Sequence, residues 1–214
     1  NGSGCIAGPN RLFPWPGGQV VTFHSHESPY EVFHGGRLEV GARGFFCIYG
    51  FSRTRRVTVR VTGPGGDVTP LRAQPSNGGL IAYWVAQPGS EGGHHATVQE
   101  GPRLAETSVR VVPAEQAHMT LVHRFFESHV TERLGRSVGI LITGLPPGRR
   151  FALDLYRLTG ARLRYFSSVA LRADRRGIRL YRLPTGRRDQ PGNYWVVLRV
   201  GRRQSLQEAF TVRR

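Results

Sequence analysis

The chain has 214 residues, 39% of them hydrophobic, which is enough to bury a core and excludes a disordered tail. Its 28 Gly and 14 Pro suit a turn-rich β protein; they exclude a coiled coil and argue against an α/β enzyme. The formal charge is +16, and no apolar run reaches the ~18 residues that a membrane-spanning helix needs.

Residues 1–18, NGSGCIAGPNRLFPWPGG, are rich in Gly and Pro and show no periodicity, so they are expected to form an extended N-terminal arm. The chain opens without Met or a hydrophobic leader, which reads as a mature end after signal cleavage or as an artificial boundary. Phe13 and Trp15 are the large apolar groups of the arm. They either fold back to cap the first domain or insert into a neighbouring subunit.

The first expected strand is VVTFH at 20–24. His24 and His26 lie two apart and project from one face, with Glu27 and His34 following. His24, His26 and His34 form a candidate divalent-metal group, although His-x-His also arises by chance among eight histidines. In the next run Phe46 and Ile48 take inward positions, so Cys47 points away from the core of its own domain. Cys5 on the arm is the remaining cysteine and its candidate partner in an oxidising compartment, the alternative being two unrelated buried thiols. Within one chain the bond pins the arm over the sheet; between chains it staples subunits together.

An internal repeat organises the rest. FSRTRRVTVRVT at 51–62 aligns with LPPGRRFALDLY at 145–156 without a gap, and Gly50 falls on Gly144. Alternation marks Val57, Val59 and Val61 as inward in the first copy, and Phe151, Leu153 and Leu155 in the second. Pro146-Pro147-Gly148 is the turn before the second of these strands. LIAYWVA at 80–86 is a further apolar run, and each copy closes with a hairpin: 93–101 then 106–112, and 193–201 then 208–214. The second copy opens with HMTLVH at 118–123 and continues through RYFSSVAL at 164–171 and IRLYRL at 178–183. Residues 124–135 lack an amphipathic helical face and are read as strand and loop. About seven short strands per copy, separated by turn signals, indicate an all-β chain of two tandem β-sandwiches, at 19–113 and 114–214.

The run from Gly50-Phe51 through Val57, Val59 and Val61, the closing Gly192-x-Tyr194-x-Val196, and the final Phe210-x-Val212 resemble bacterial immunoglobulin-like repeats. The resemblance covers about 90 residues of each copy. It implies secreted or cell-surface, non-catalytic modules used in adhesion, spacing or assembly.

All 30 basic residues are Arg, which fits a GC-rich genome and equally a surface built to grip carboxylates and phosphates. Residues 1–112 hold 10 Arg against 7 acids, a net of +3, whereas residues 113–214 hold 20 against 7, a net of +13. Arg doublets fall at expected turns: Arg149-Arg150, Arg175-Arg176, Arg187-Arg188 and Arg202-Arg203 are the candidate anion-binding set, expected to gather as one basic rim. The alternative is a set of solvated loop charges that blunt sheet edges. Asp154, Glu127 and Glu132 are read as surface ion-pairing groups, and His94 and His95 as partly exposed strand residues. Tyr165-Phe166 and Tyr181 lack the spacing of a stacking platform, so nucleic acid is not the expected partner. No catalytic motif and no cofactor is implied. The sequence therefore points to a non-enzymatic structural or adhesive protein that assembles with itself through its arm. The alternative is a binding module for an anionic polymer (wall polymer, acidic polysaccharide, lipid headgroups or DNA) through the second domain.

Overall fold

The computed structural model describes Cys5 and residues 20–25, 36–76, 79–122, 130–186, 190–201 and 203–214. Every regular element among them is a strand, so no helix there is long and apolar enough to cross a membrane. The chain divides after Pro113 into two compact units.

The first unit contains β1 (Val20–Ser25), β2 (Gly36–Glu39), β3 (Arg43–Tyr49), β4 (Thr58–Thr62), β5 (Val68–Arg72), β6 (Gln74–Pro75), β7 (Leu80–Val85), β8 (Gly92–Glu100) and β9 (Arg103–Val112). One sheet runs β1-β3-β7-β6 and the other β2-β9-β8-β4-β5. The second unit contains β10 (His118–Val122), β11 (Val130–Arg133), β12 (Ser137–Thr143), β13 (Arg150–Thr159), β14 (Arg162–Arg172), β15 (Arg179–Pro184), β16 (Gly192–Val200) and β17 (Arg203–Arg213). Its sheets run β10-β12-β15 and β11-β17-β16-β13-β14. The two topologies match element for element apart from the two-residue β6. These are two tandem immunoglobulin-like sandwiches.

The alternation seen in the sequence builds both cores. Val57, Val59 and Val61 are buried, as are Phe151, Leu153 and Leu155. The aligned Phe46 and Ile140, and Ile48 and Ile142, are each no more than 1% exposed. Opposite β3, Trp84 pairs with Gly44; at the aligned site Leu183 pairs with Val138. A large residue beside none and two medium ones have similar summed volume, the kind of exchange a core tolerates best.

Each opening strand is supplemented by a short one that crosses to the other sheet. β2 and β11 pair in parallel with the last strand of their units, β9 and β17. Gly50 and Gly144 end β3 and β12 with φ of 78° and 69°. At Gly144 a Cβ would come within 1.8 Å of the Gln116 carbonyl oxygen, so a side chain there is excluded both by backbone conformation and by contact.

Cys47 lies on the outer face of β3, as its alternation with Phe46 and Ile48 requires. It is joined to Cys5 within the same chain, with Cα atoms 5.5 Å apart. Cys5, Phe45, Cys47 and Ile81 form a second buried cluster on that outer face, with Tyr49 and Tyr83 packed against it. The β3–β7 sheet is thus buried on both sides, and burial raises the Tyr49 pKa above its ordinary value.

Candidate functional site

The sequence-based candidates fall into three groups. Phe13, Trp15, His26 and His34 lie outside the described residues, as do Arg187, Arg188 and Arg202. His24 is in β1, in register with Phe45. Among the described residues no three His, Cys, Asp or Glu side chains converge on a metal position. The remaining arginines are exposed on the second sandwich.

Several of those arginines meet at one end of that sandwich. Arg149 and Arg150 open β13, and Arg150 is directly opposite Arg172. The Ala173 N–H donates to the Arg149 carbonyl at 3.0 Å and the Gly148 N–H to the Asp174 carbonyl at 3.1 Å, which brings the Arg175-Arg176 turn alongside. The β16–β17 turn with Arg203 is at the same end, because Ala152 is in register with Arg199. The Asp174 carboxylate is engaged locally, accepting from the Arg176 and Ile178 backbone N–H groups at 2.8 and 2.9 Å. It closes an Asx-type turn.

A second concentration lies along one side. Between Arg162 and Arg182 the chain carries seven arginines against one acid, Asp174. The matching stretch of the first sandwich, from Val68 to Val85, carries Arg72 alone. Arg157 is directly opposite Arg164. Like charges placed opposite each other oppose sheet formation. The strain is partly relieved by carbonyls: Arg172 donates to Gly148 O at 2.8 Å, and Arg157 bonds to Gln190 Oε1 and to Pro191 O. Arg150, Arg162 and Arg164 remain solvent-exposed.

The outer face of the five-stranded sheet adds an aromatic row. Tyr165 on β14, Tyr156 on β13 and Trp195 on β16 occupy one register line across three neighbouring strands. At about 4.8 Å per strand the row spans roughly 10 Å. Tyr156 and Tyr165 meet edge to face at 5.9 Å, and Tyr165 is 61% exposed. Beside the row lies Asp154, which is 4% exposed and therefore not the surface group expected from the sequence. Its position on β13 puts it between Ser168 and Val197, where neighbouring side chains enclose it. Arg199 Nε donates to its Oδ2 at 2.7 Å and Nη2 to its Oδ1 at 3.2 Å, and Ser168 Oγ donates to Oδ1 at 2.6 Å. The Arg199 hydrogen bonds hold the Asp154 carboxyl below the usual carboxylate range; burial opposes them and the Ser168 bond adds to them. The same contact raises the Arg199 pKa.

The aromatic row is a feature that sequence spacing did not reveal. Of the aromatics singled out there, Tyr165 belongs to it, Phe166 turns onto Tyr194 at 6.0 Å, and Tyr181 packs against the core. The register shift at Leu155/Tyr156 makes Phe166 the extra residue that separates those roles.

His94 also departs from expectation. It is buried, edge-on to Trp84 at 5.0 Å, and its Nε2–H donates to the Ser90 carbonyl at 2.6 Å. Its counterpart Tyr194 is buried too, and donates from its hydroxyl to the Gln190 carbonyl at 2.7 Å. Both reach the carbonyl four residues back, as in the tyrosine corner of immunoglobulin-like sandwiches. His94 is therefore a structural corner residue. His95 alternates outward and lies 3.5 Å from Glu106, with both side chains about half exposed.

No protein-family model matches the sequence, and no curated protein sequence matches it. Among solved structures the chain is similar to the N-terminal four Ig domains of Dscam1 isoform 7.44, at 13% identity and a TM-score of 0.37, covering 84% of this chain and 51% of that one. It is similar to the IG1+IG2 fragment of DIP-gamma at 9% identity and a TM-score of 0.26, covering 83% and 92%. It is also similar to Escherichia coli alpha-2-macroglobulin activated by porcine elastase, at 13% identity and a TM-score of 0.33. The chain covers 20% of that macroglobulin's length.

Proposed function

We propose that this protein is a non-enzymatic, secreted or cell-surface module of two immunoglobulin-like sandwiches that binds an anionic polymer through the second sandwich. The observation that carries this reading is the accumulation of arginine along one side of the second unit, seven between Arg162 and Arg182, against Arg72 alone in the matching stretch of the first. Folding alone gains nothing from setting Arg150 against Arg172 or Arg157 against Arg164, whereas an anionic ligand removes the repulsion. The adjoining row of Tyr165, Tyr156 and Trp195 offers ring faces for apolar or stacking contact with such a ligand. The bond between Cys5 and Cys47 supports an oxidising compartment. Because that bond closes within the chain, both thiols are consumed, and assembly through the arm would rest on Phe13 and Trp15.

The test is retention of the full chain on immobilised dextran sulfate, eluted with rising salt. The variant carrying Arg150→Ser, Arg162→Ser, Arg164→Ser and Arg182→Ser is expected to elute at much lower salt than the wild type. Removing the same number of charges from the first sandwich, at the exposed Arg55, Arg56, Arg60 and Arg72, is expected to leave elution almost unchanged. Equal loss from both variants would mean that only net charge matters, and would sink the reading.

A further inference from the structure

Both sandwiches end the same sheet with the strand that follows β4 or β13, and the two copies treat that edge in opposite ways. In the first, β5 is five residues long and has Pro70 at its centre. Proline removes a main-chain donor and is a usual way to blunt an edge. In the second, β14 is 11 residues long, contains no proline, and is exposed or part-exposed throughout. Among the described residues it is the terminal strand of its sheet, with β13 on one side. A long unblocked edge offers a row of backbone donors and acceptors to an incoming strand.

The side chains on that edge specify what can add to it. Successive residues of a strand face opposite sides. Over the first half of β14, Arg162 and Arg164 share one face while Leu163 and Tyr165 share the other, the face of the aromatic row. Leu163 and Tyr165 are 50% and 61% exposed. A strand laid along this edge places carboxylates beside the arginines only if they alternate with apolar residues that meet Leu163 and Tyr165. A second copy of β14 does not satisfy this pattern: antiparallel pairing about the strand centre sets Arg162 of one copy against Arg172 of the other. Like charges directly opposite each other disfavour that pairing.

We infer that the outer edge of β14 receives an extended acidic polypeptide segment, alternating carboxylate and apolar side chains, by addition of a strand to the sheet. The inference rests on the reading of the second sandwich as an anion-binding surface and names the occupant of that surface. Main-chain hydrogen bonds supply the affinity, and the alternation of Arg with Leu163 and Tyr165 supplies the selectivity.

The probe is a synthetic peptide as long as β14, alternating Glu and Val, added to the full chain. Binding is followed by fluorescence anisotropy and by amide hydrogen exchange. Two further peptides carry N-methyl groups, one on all odd residues and the other on all even residues. In an extended strand only one of these sets points at the sheet. Strand addition therefore predicts at least a ten-fold loss of affinity for one methylated peptide, near-parent affinity for the other, and exchange protection confined to β14. The Arg162→Glu, Arg164→Glu variant is expected to lose the peptide while keeping the same exchange pattern in β16 and β17, which reports an intact fold. Equal affinity for all three peptides would mean charge binding without strand pairing, and overturns the inference while leaving the proposed function standing. Failure of the peptide to bind a protein that dextran sulfate still retains does the same. Failure of both probes removes the proposed function as well.

Discussion

Replacing Cys5 and Cys47 with alanine is expected to destabilise the first sandwich and leave the second untouched. The two residues are 42 apart in sequence, and in the chain-entropy treatment closing a loop of that size stabilises by about 4 kcal/mol. Alanine avoids burying a hydroxyl at sites that are 2% and 1% exposed, so the further loss is one of packing, about 1 kcal/mol. A total near 5 kcal/mol is comparable with the whole stability of a marginal domain. Cys5 also forms part of the cluster with Phe45 and Ile81, so the loss should be largest where that cluster sits. The assay is native-state hydrogen exchange as urea rises, read separately for β3 and β7 and for β13 and β16. Amides of β3 and β7 should exchange through an opening several kcal/mol less costly than in the wild type, while β13 and β16 keep their wild-type values. A loss under about 1 kcal/mol in β3 and β7 would refute the account, as would an equal loss in both units.

Tyr194→Phe removes one hydrogen bond to a buried carbonyl and should cost about 1 kcal/mol in urea unfolding. His94→Phe should cost a similar amount, whereas His94→Tyr, which restores the residue used by the second copy, should be nearly neutral. Gly144→Ala forces a side chain into a left-handed position and against the Gln116 carbonyl; a loss of about 2–4 kcal/mol is expected from thermal or urea unfolding. Asp154→Asn should cost about 1–2 kcal/mol near neutral pH, because the carboxylate accepts charge-assisted bonds from Arg199 and a bond from Ser168. Because the folded pKa of Asp154 is depressed, its contribution is complete above the unfolded value near 4 and is lost as pH falls through the lower folded value. The difference between wild type and Asp154→Asn should therefore be flat from pH 8 to about pH 5 and shrink below that; a difference that vanished by pH 6 would contradict this.

The sandwiches were legible in the sequence because their inner faces obey a period of two. Val57, Val59 and Val61 read as buried without any knowledge of their partners, and Cys47 read as outward because Phe46 and Ile48 flank it. What depends on register was not legible. Tyr165, Tyr156 and Trp195 are tens of residues apart at their extremes and fall into one row only because β14, β13 and β16 pair with a shift at Leu155/Tyr156. Asp154 looked like a surface acid among arginines because alternation gives its face but not its neighbours. β2 and β11 are four-residue strands whose parallel partners lie at the far end of each unit, so nothing local marks them. The corner residues were half visible. Aligning the closing strands sets His94 on Tyr194, and both being able to donate a hydrogen bond was the clue to their shared role.

The repeat separates what folding requires of both copies from what it leaves free to differ. Both copies must fill a core, end β3 or β12 with a left-handed glycine, and hold the start of β8 or β16 to a carbonyl; at each of these points they agree in chemistry even where the residue differs. They disagree at the sheet edge. A short proline-bearing edge with one arginine meets the physical need of avoiding edge-to-edge aggregation at least cost. The second copy instead extends that edge to 11 residues and surrounds it with like charge. The arginines still disfavour pairing of β14 with a second copy of itself, which acts against edge-to-edge aggregation. On the proposed reading, what changes is that the edge accepts a strand of opposite charge. A blunted edge has no such selectivity, so the proposed contact surface rests on the difference between the copies rather than on the fold they share.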